Sequence, residues 1–354
     1  MESMCPVPPP SPYAEEGTKA HELLEQKLIQ FFKNQPVEFE ADDEMHAHIE
    51  NVFNEIVGFP SSVDATEHPK TGKKFADVSI ERNFLITDDL DQPMRGTADF
   101  GCAWWKSDGL GLADDIYYVD LAVLDLKYGR GQVDAEYEDG KMNPQLCLYS
   151  YGYGLWLANK YLGGQTDLLG MVLLGILQPR IYSSENPGWH FSKAAYTWEE
   201  IEEEALKIID KAKQAESIVK SDADHTPHLN ATEKGCLWCA AKAICPAYQE
   251  ASQVAVLEPM FEAVDTEERL EPQGLGLETL KKVVLFRKEI NSFLDAAERY
   301  VSAKVREEPD EHPEFKFVRK ATKRRWNADV FTIKNVLVDG LGMKQEEVFD
   351  LKPK

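Results

Sequence analysis

Apolar residues recur every three or four positions in two early stretches of the chain. In the first, Leu24, Leu28, Phe31 and Phe32 fall on one side of a helix predicted over Tyr13–Asn34. In the second, Met45, Ile49, Val52, Phe53 and Ile56 repeat the pattern over Asp42–Val57. The pattern then changes. Phe75–Ile86, Gly96–Trp105 and Ile116–Lys127 read as three strands, separated by turns at Asp88–Gln92 and Ser107–Asp115 with their Asp and Gly content. A helix over Asn143–Leu162, an apolar strand over Leu168–Gln178 and an amphipathic helix over Trp198–Ser217 follow. Helix, three strands, helix, strand is an α/β or α+β order. Beyond Cys245 the chain reads differently: a long helical stretch Leu275–Val305, a Pro/Glu linker Glu307–Pro313 and a short helix near Ala328–Val338. Residues 1–13 are Pro-rich and expected to be extended. The chain thus divides into 1–250 and 251–354, with no internal repeat.

Composition narrows the class. At 354 residues with 43% hydrophobic content, the chain can bury one large core or two modest ones. Its longest apolar run, Leu168–Leu177, suits a buried strand and is far too short for a membrane span. The start lacks a basic-then-apolar leader, so the expected place is the cytoplasm, away from membranes. Six cysteines, three of them clustered, fit metal binding in a reducing compartment better than a disulfide framework. The net charge of −23 opposes long-range attraction to a polyanion. Acidic runs at Glu40–Glu44, Asp88–Asp91, Glu199–Glu204 and Glu307–Glu311 read as solvated surface, or as faces that exclude duplex DNA or meet a basic partner. One segment runs the other way. Phe315–Trp326 holds six cations and no acid: Lys316, Arg319, Lys320, Lys323, Arg324 and Arg325. Its interleaved aromatics could stack on bases while the cations neutralise phosphates, or the segment could pair with the protein's own acidic surface.

The chemistry concentrates between Gly96 and Tyr149. Gly96-Thr-Ala-Asp99 is followed by the strand Leu121-Ala-Val-Leu124, then Asp125-Leu126-Lys127, then Gln145-Leu-Cys-Leu-Tyr149. Two carboxylates can hold a hard divalent cation, and residues at i and i+2 of a strand share a face. Asp125 would then ligate metal while Lys127 faces the attacking water or the scissile phosphate. Taken alone, the same residues also make an ordinary strand-end salt bridge.

Order and context add to this. Gly17-x-x-x-His21, Gly96-x-x-Asp99, Asp125-x-Lys127 and Gln145-x-x-x-Tyr149, in that sequence, resemble the RecB-like branch of the PD-(D/E)xK nuclease superfamily. In detail the chain resembles a phage and prophage family of that branch, through Asp125–Gly131, Gln178-Pro-Arg180 and the Lys316…Arg325-Trp326 segment. The resemblance implies a restriction-endonuclease-like αβββαβ core, with a mixed sheet flanked by helices and a mainly helical C-terminal region. It implies metal-dependent hydrolysis of DNA, as an exonuclease of recombination, replication or repair, leaving a 5′-phosphate and a 3′-hydroxyl. His21, Asp99, Asp125 and the Leu126 carbonyl would hold Mg²⁺ or Mn²⁺, the ligand set being mostly oxygen. Lys127 would orient water and offset transition-state charge. Gln145 and Tyr149 would buttress Lys127 or touch a phosphate, and Arg130 would contact the DNA backbone. The alternative is a catalytically silent nuclease fold that binds DNA or a recombination or replication partner. No P-loop accompanies these motifs, so a stand-alone nuclease or a subunit is expected.

Cys236-x2-Cys239-x5-Cys245-Pro246 can bring three thiolates to one metal centre, with Cys5, His225 or His228 as fourth ligand. Iron–sulfur nucleases such as AddB and the CRISPR-adaptation exonucleases carry one cysteine before the nuclease core and three after it. The similarity implies a structural [4Fe–4S] cluster on Cys5, Cys236, Cys239 and Cys245, pinning the ends of the core; zinc on three Cys and one His is the alternative. Cys102 and Cys147 sit in apolar contexts and read as core residues.

Overall fold

The computed structural model describes residues 12–34, 43–107, 117–181, 190–221, 224–236, 239–251 and 276–315. The chain forms two compact units, Pro8–Gly235 and Cys236–Lys354 with Met1–Val7. The division falls ahead of residue 250, so the cysteine triplet goes with the helical C-terminal unit.

In the first unit, α1 (Pro12–Lys33) and α2 (Asp43–Ser62) precede β1 (Phe75–Thr87), β2 (Met94–Ser107) and β3 (Tyr117–Leu126). Then come α3 (Pro144–Tyr161), β4 (Leu169–Gln178), β5 (His190–Thr197) and α4 (Trp198–Lys220). The sheet order is β1-β2-β3-β4-β5, with β3 and β4 parallel and the other neighbours antiparallel. The parallel pair follows from α3, whose length lets the chain return to the starting end of the sheet. The result is the expected αβββαβ order on a mixed sheet.

Both sheet faces are covered, which explains why β3 is apolar without alternation. On one face Leu24, Leu28, Ile49, Val52 and Ile56 of α1 and α2 pack on Phe100, Cys102, Ala122, Leu124 and Leu126. On the other, Leu146, Tyr153 and Leu157 of α3 and Trp198 and Ile201 of α4 pack on Val119, Leu121, Val123 and Leu174. Cys102 and Cys147 lie in these cores, where burial pushes both thiols up to about 12. Asn143 caps α3, accepting from the N–H groups of Gln145 and Leu146, and a Thr197/Glu200 capping box starts α4.

Strand β5 is an element beyond those read from the sequence. It pairs with β4 from His190↔Gln178 to Thr197↔Met171 at the sheet edge, and its side chains are half-buried or exposed. Such a strand carries no apolar run and only a weak alternation.

A local irregularity in β1 and β2 shapes the site. Val78 and Ile80 pack toward α1 and α2, but Phe84 and Ile86 pack toward α3. Opposite them, Phe100 faces α1 and α2, while Ala98 faces α3. Residues an even number apart should share a face. Both strands therefore invert their pleat between the pairs Ile80↔Phe100 and Arg82↔Ala98, where Glu81 and Asp99 stand.

The short helix α5 (Glu233–Cys236) spans the boundary of the two units; in the second, Ala240–Ala243 form a 3-10 turn, followed by α6 (Pro246–Ala251). The helical stretch read over Leu275–Val305 is two helices, α7 (Leu277–Leu285) and α8 (Arg287–Glu307), broken at Phe286. The basic segment and the short helix near Ala328–Val338 lie outside the described residues. No helix among the described residues is long and apolar enough to cross a membrane.

Candidate active site

His21 reaches Asp99 across 78 positions of sequence, Nδ1 to Oδ1 at 2.8 Å. It can do so because Ala20, Leu23 and Leu24 press its stretch of α1 onto the sheet. The other Asp99 oxygen accepts the Leu126 backbone N–H at 2.6 Å, tying β2 to the end of β3. Asp125, only 3% exposed, meets Lys127 through Oδ2 and Nζ at 2.7 Å. The alternation of an extended chain thus brings carboxylate and ammonium together as expected. Asp99 and Asp125 are close enough for each to act on the other's charge.

A third carboxylate joins them. Glu81 hydrogen-bonds Asp99 carboxyl to carboxyl, and ligand atoms of His21, Glu81 and Asp99 all lie within 4.8 Å of one another. Among the described residues this is the sole such group of potential ligands. Burial, then the bond to Asp99, pushes Glu81 up to about 8. Burial and the Asp99 charge together lift Asp125 to about 6, against the pull of Lys127. Burial opposes charge on both His21 and Asp99, but their mutual hydrogen bond outweighs it, raising His21 and lowering Asp99. Three crowded carboxylates with one imidazole make a donor set suited to a divalent cation, whose charge would favour the ionised form of each carboxylate.

The Gln-x-x-x-Tyr motif braces this arrangement from α3. Gln145 donates to the Tyr149 hydroxyl at 2.7 Å. The Tyr149 ring covers Gly96, where a Cβ would come within 2.5 Å of it. The glycine of Gly-x-x-Asp is therefore required by the tyrosine of Gln-x-x-x-Tyr, and the pair supports β2 three residues before Asp99. The loop after Lys127 is held by Gln178, fully buried at the end of β4. Its amide accepts from Val133 N–H at 2.8 Å and donates to the Gly131 carbonyl at 2.9 Å, leaving Arg130 exposed between glycines. Arg180 pairs with Glu16 on α1 at 2.8 Å and stacks over Tyr128 at 4.9 Å, whose hydroxyl meets His48 of α2 at 3.1 Å. The Gln178-Pro-Arg180 strand end thus fastens the helix that carries His21 and the loop that follows Lys127.

A family model described as "Protein of unknown function (DUF2800)" matches residues 9–353. The chain belongs to this family. No curated protein and no solved structure matches it. The DUF2800 match spans His21, Glu81, Asp99 and Asp125, the Gln145/Tyr149 brace, the cysteine triplet and the basic segment, while Cys5 precedes it.

Among these residues of the DUF2800 chain, Glu81 is the one sequence reasoning missed. A charged residue in an alternating strand reads as solvent-facing, and only the left-handed backbone of Glu81, at φ +44°, turns it to Asp99. The cysteines are placed as follows. Cys236, Cys239 and Cys245 are half-buried free thiols on successive turns, with the Cys236 carbonyl accepting from Cys239 N–H at 3.4 Å. As a set they do not come within 4.8 Å of one another. Between them Lys242 is 3% exposed and donates to Ser292 of α8 at 3.1 Å. His225 and His228 end on a 3-10 turn of the other unit, His225 meeting the Ser221 carbonyl at 3.1 Å. Cys5 and the residues Lys316, Arg319, Lys320, Lys323, Arg324 and Arg325 lie outside the described residues.

Proposed function

We propose that this protein is a metal-dependent deoxyribonuclease that hydrolyses phosphodiester bonds, acting on ends of single- or double-stranded DNA. The observation that carries the reading is the convergence of His21, Asp99, Asp125 and Lys127 from α1, β2 and β3 at one end of the sheet, anchored by the 2.8 Å contact of His21 with Asp99. His21, Asp99, Asp125 and the Leu126 carbonyl would hold Mg²⁺ or Mn²⁺, which supplies Lewis acidity at the scissile phosphate and a more acidic bound water. Lys127, held by Asp125, orients the attacking water and offsets charge on the phosphoryl oxygens. Its side chain is one-quarter exposed, so it would face a bound phosphate without leaving its partner. Arg130, exposed between Gly129 and Gly131, would meet a backbone phosphate. Water oxygen bonds to phosphorus as the bond to the 3′ oxygen breaks, leaving a 5′-phosphate and a 3′-hydroxyl.

The cysteines support a second metal centre in the same reading. Three free thiols within ten residues are a soft donor set. Cys236, Cys239 and Cys245, with Cys5, would hold a [4Fe–4S] cluster of structural role; zinc on the three cysteines and one histidine is the alternative.

Anaerobically purified protein, given end-labelled linear DNA with Mg²⁺ or Mn²⁺, is expected to degrade it, and Asp125→Ala to lose that activity. Cleavage of neither single strands, duplexes nor RNA by wild-type protein would move the function to binding.

A further inference from the structure

Glu81 is a carboxylate that the nuclease motifs do not include. Non-glycine residues with left-handed backbone are two among the described residues, Asn34 and Glu81. Asn34 directly follows α1, where a helix end commonly takes that conformation and Asn tolerates it. Glu81 stands inside a thirteen-residue strand, where nothing about pairing calls for it. A left-handed backbone is disfavoured for a glutamate, and such strain persists where the surroundings fix the conformation. What the conformation achieves here is specific. It inverts the pleat of β1 opposite the matching inversion of β2, so that Glu81 and Asp99 face the same point. A regular strand would put Glu81 on the sheet face without His21.

That point is where His21 arrives from α1. It is also bordered by Asp125, whose buried Oδ2 has no hydrogen bond and only the Lys127 ion pair. The formal charges are three carboxylates against one ammonium, a sum of −2 that one divalent cation cancels.

We propose that Glu81 is a metal ligand, completing with His21 and Asp99 a nitrogen-and-carboxylate cage for the divalent cation beside the Asp125–Lys127 pair. This assignment rests on reading the site as a metal centre, and it adds a residue to it. The three ligand atoms already lie within 4.8 Å of one another, a spread that one ion can span with bonds of ordinary length. The mixed donor set, one imidazole among carboxylates, favours Mn²⁺ over Mg²⁺, because imidazole suits the softer ion.

The test is direct titration of the metal-free full-length protein with Mn²⁺, with free Mn²⁺ followed by its electron paramagnetic resonance signal. Glu81→Gln keeps the shape and removes the anionic ligand. Its Mn²⁺ affinity is expected to fall by at least about tenfold, with Glu81→Asp falling less. Glu22→Gln, on the exposed side of α1, should bind as wild type. Thermal unfolding supplies the folding control: metal-free Glu81→Gln should melt no lower than wild type, but should gain less from added Mn²⁺. Unchanged Mn²⁺ affinity in a folded Glu81→Gln protein overturns the assignment. If DNA is cleaved yet Glu81→Gln binds Mn²⁺ like wild type, the ligand assignment fails and the nuclease reading stands. If no nucleic acid is cleaved but Mn²⁺ binding depends on Glu81, the nuclease reading fails and the ligand assignment stands. Wild-type protein that binds no Mn²⁺ removes both.

Discussion

At the residue scale, Glu81 shows how a site can oppose the stability of its own fold. Its carboxyl is raised from 4.5 to about 8, so the folded state holds a proton that the unfolded state releases earlier. The sign follows from linkage: stability from this group is complete below 4.5 and lost as pH rises through about 8. Asp125, raised to about 6, and His21, also raised, act in the same direction, while the lowered Asp99 acts in the opposite one. The metal-free protein is therefore expected to lose thermal stability between pH 5 and about 8, and Glu81→Gln to flatten that loss, as scanning calorimetry across pH would show. The backbone makes a separate contribution. Glu81→Gly should leave the metal-free protein about 1 kcal/mol more stable than Glu81→Ala, because only glycine adopts φ +44° without strain. Chemical denaturation of the two variants checks this. None of it was legible in Ile80-Glu81-Arg82, since a backbone inversion leaves no mark on composition or alternation. By contrast, the Asp125–Lys127 pair was legible in strand alternation, whereas His21 and Asp99 were flagged only by motif order, since regular alternation of β2 would turn Asp99 to the other face.

At the element scale, the motifs are joined through packing. Gly96 and Tyr149 form a single contact between β2 and α3, so neither can change alone. Gly96→Ala drives a methyl group to 2.5 Å from the Tyr149 ring and should cost about 1–3 kcal/mol. Tyr149→Ala in the same chain should recover most of that steric cost. A double-mutant cycle on unfolding free energies would show the coupling, and simple additivity would refute it. Gln178 is the comparable element-level clamp on the Lys127 loop. Gln178→Ala removes the buried amide that meets two backbone groups, Val133 N–H and the Gly131 carbonyl, and should cost about 1–3 kcal/mol in denaturant melts. The αβββαβ order was readable because each of its elements carries a strong apolar period. Strand β5 was not, because an edge strand with half-exposed side chains needs only backbone pairing to form. The break at Phe286 was hidden for a related reason: apolar positions continue through it on both sides, so periodicity alone joins α7 to α8.

At the scale of the whole molecule, the net charge of −23 and the proposed polyanionic substrate pull against each other. Part of the acidity is neutralised locally. On α4 and its surroundings, Lys207, Lys213 and Lys220 pair with Glu203, Asp89 and Asp91 at the surface, where such pairs add little stability but lower the field. The remaining negative field penalises approach everywhere except where cations are concentrated without acids, and in the sequence that place is Phe315–Trp326. DNA binding should accordingly depend on this segment more than on the bulk charge. Each phosphate neutralised by a cation releases counterions, so the slope of log affinity against log salt counts the contacts. Replacing Lys323, Arg324 and Arg325 together by alanine should reduce that slope by about 3. Mn²⁺ affinity, which the proposed ligands His21, Glu81, Asp99 and Asp125 would set, should not change in the same variant. Fluorescence anisotropy with labelled oligonucleotides between low and moderate salt reads the slope. A slope equal to that of wild type would assign the segment to pairing with the protein's own acidic surface, and would leave Arg130 and the site itself to bear the phosphate contacts.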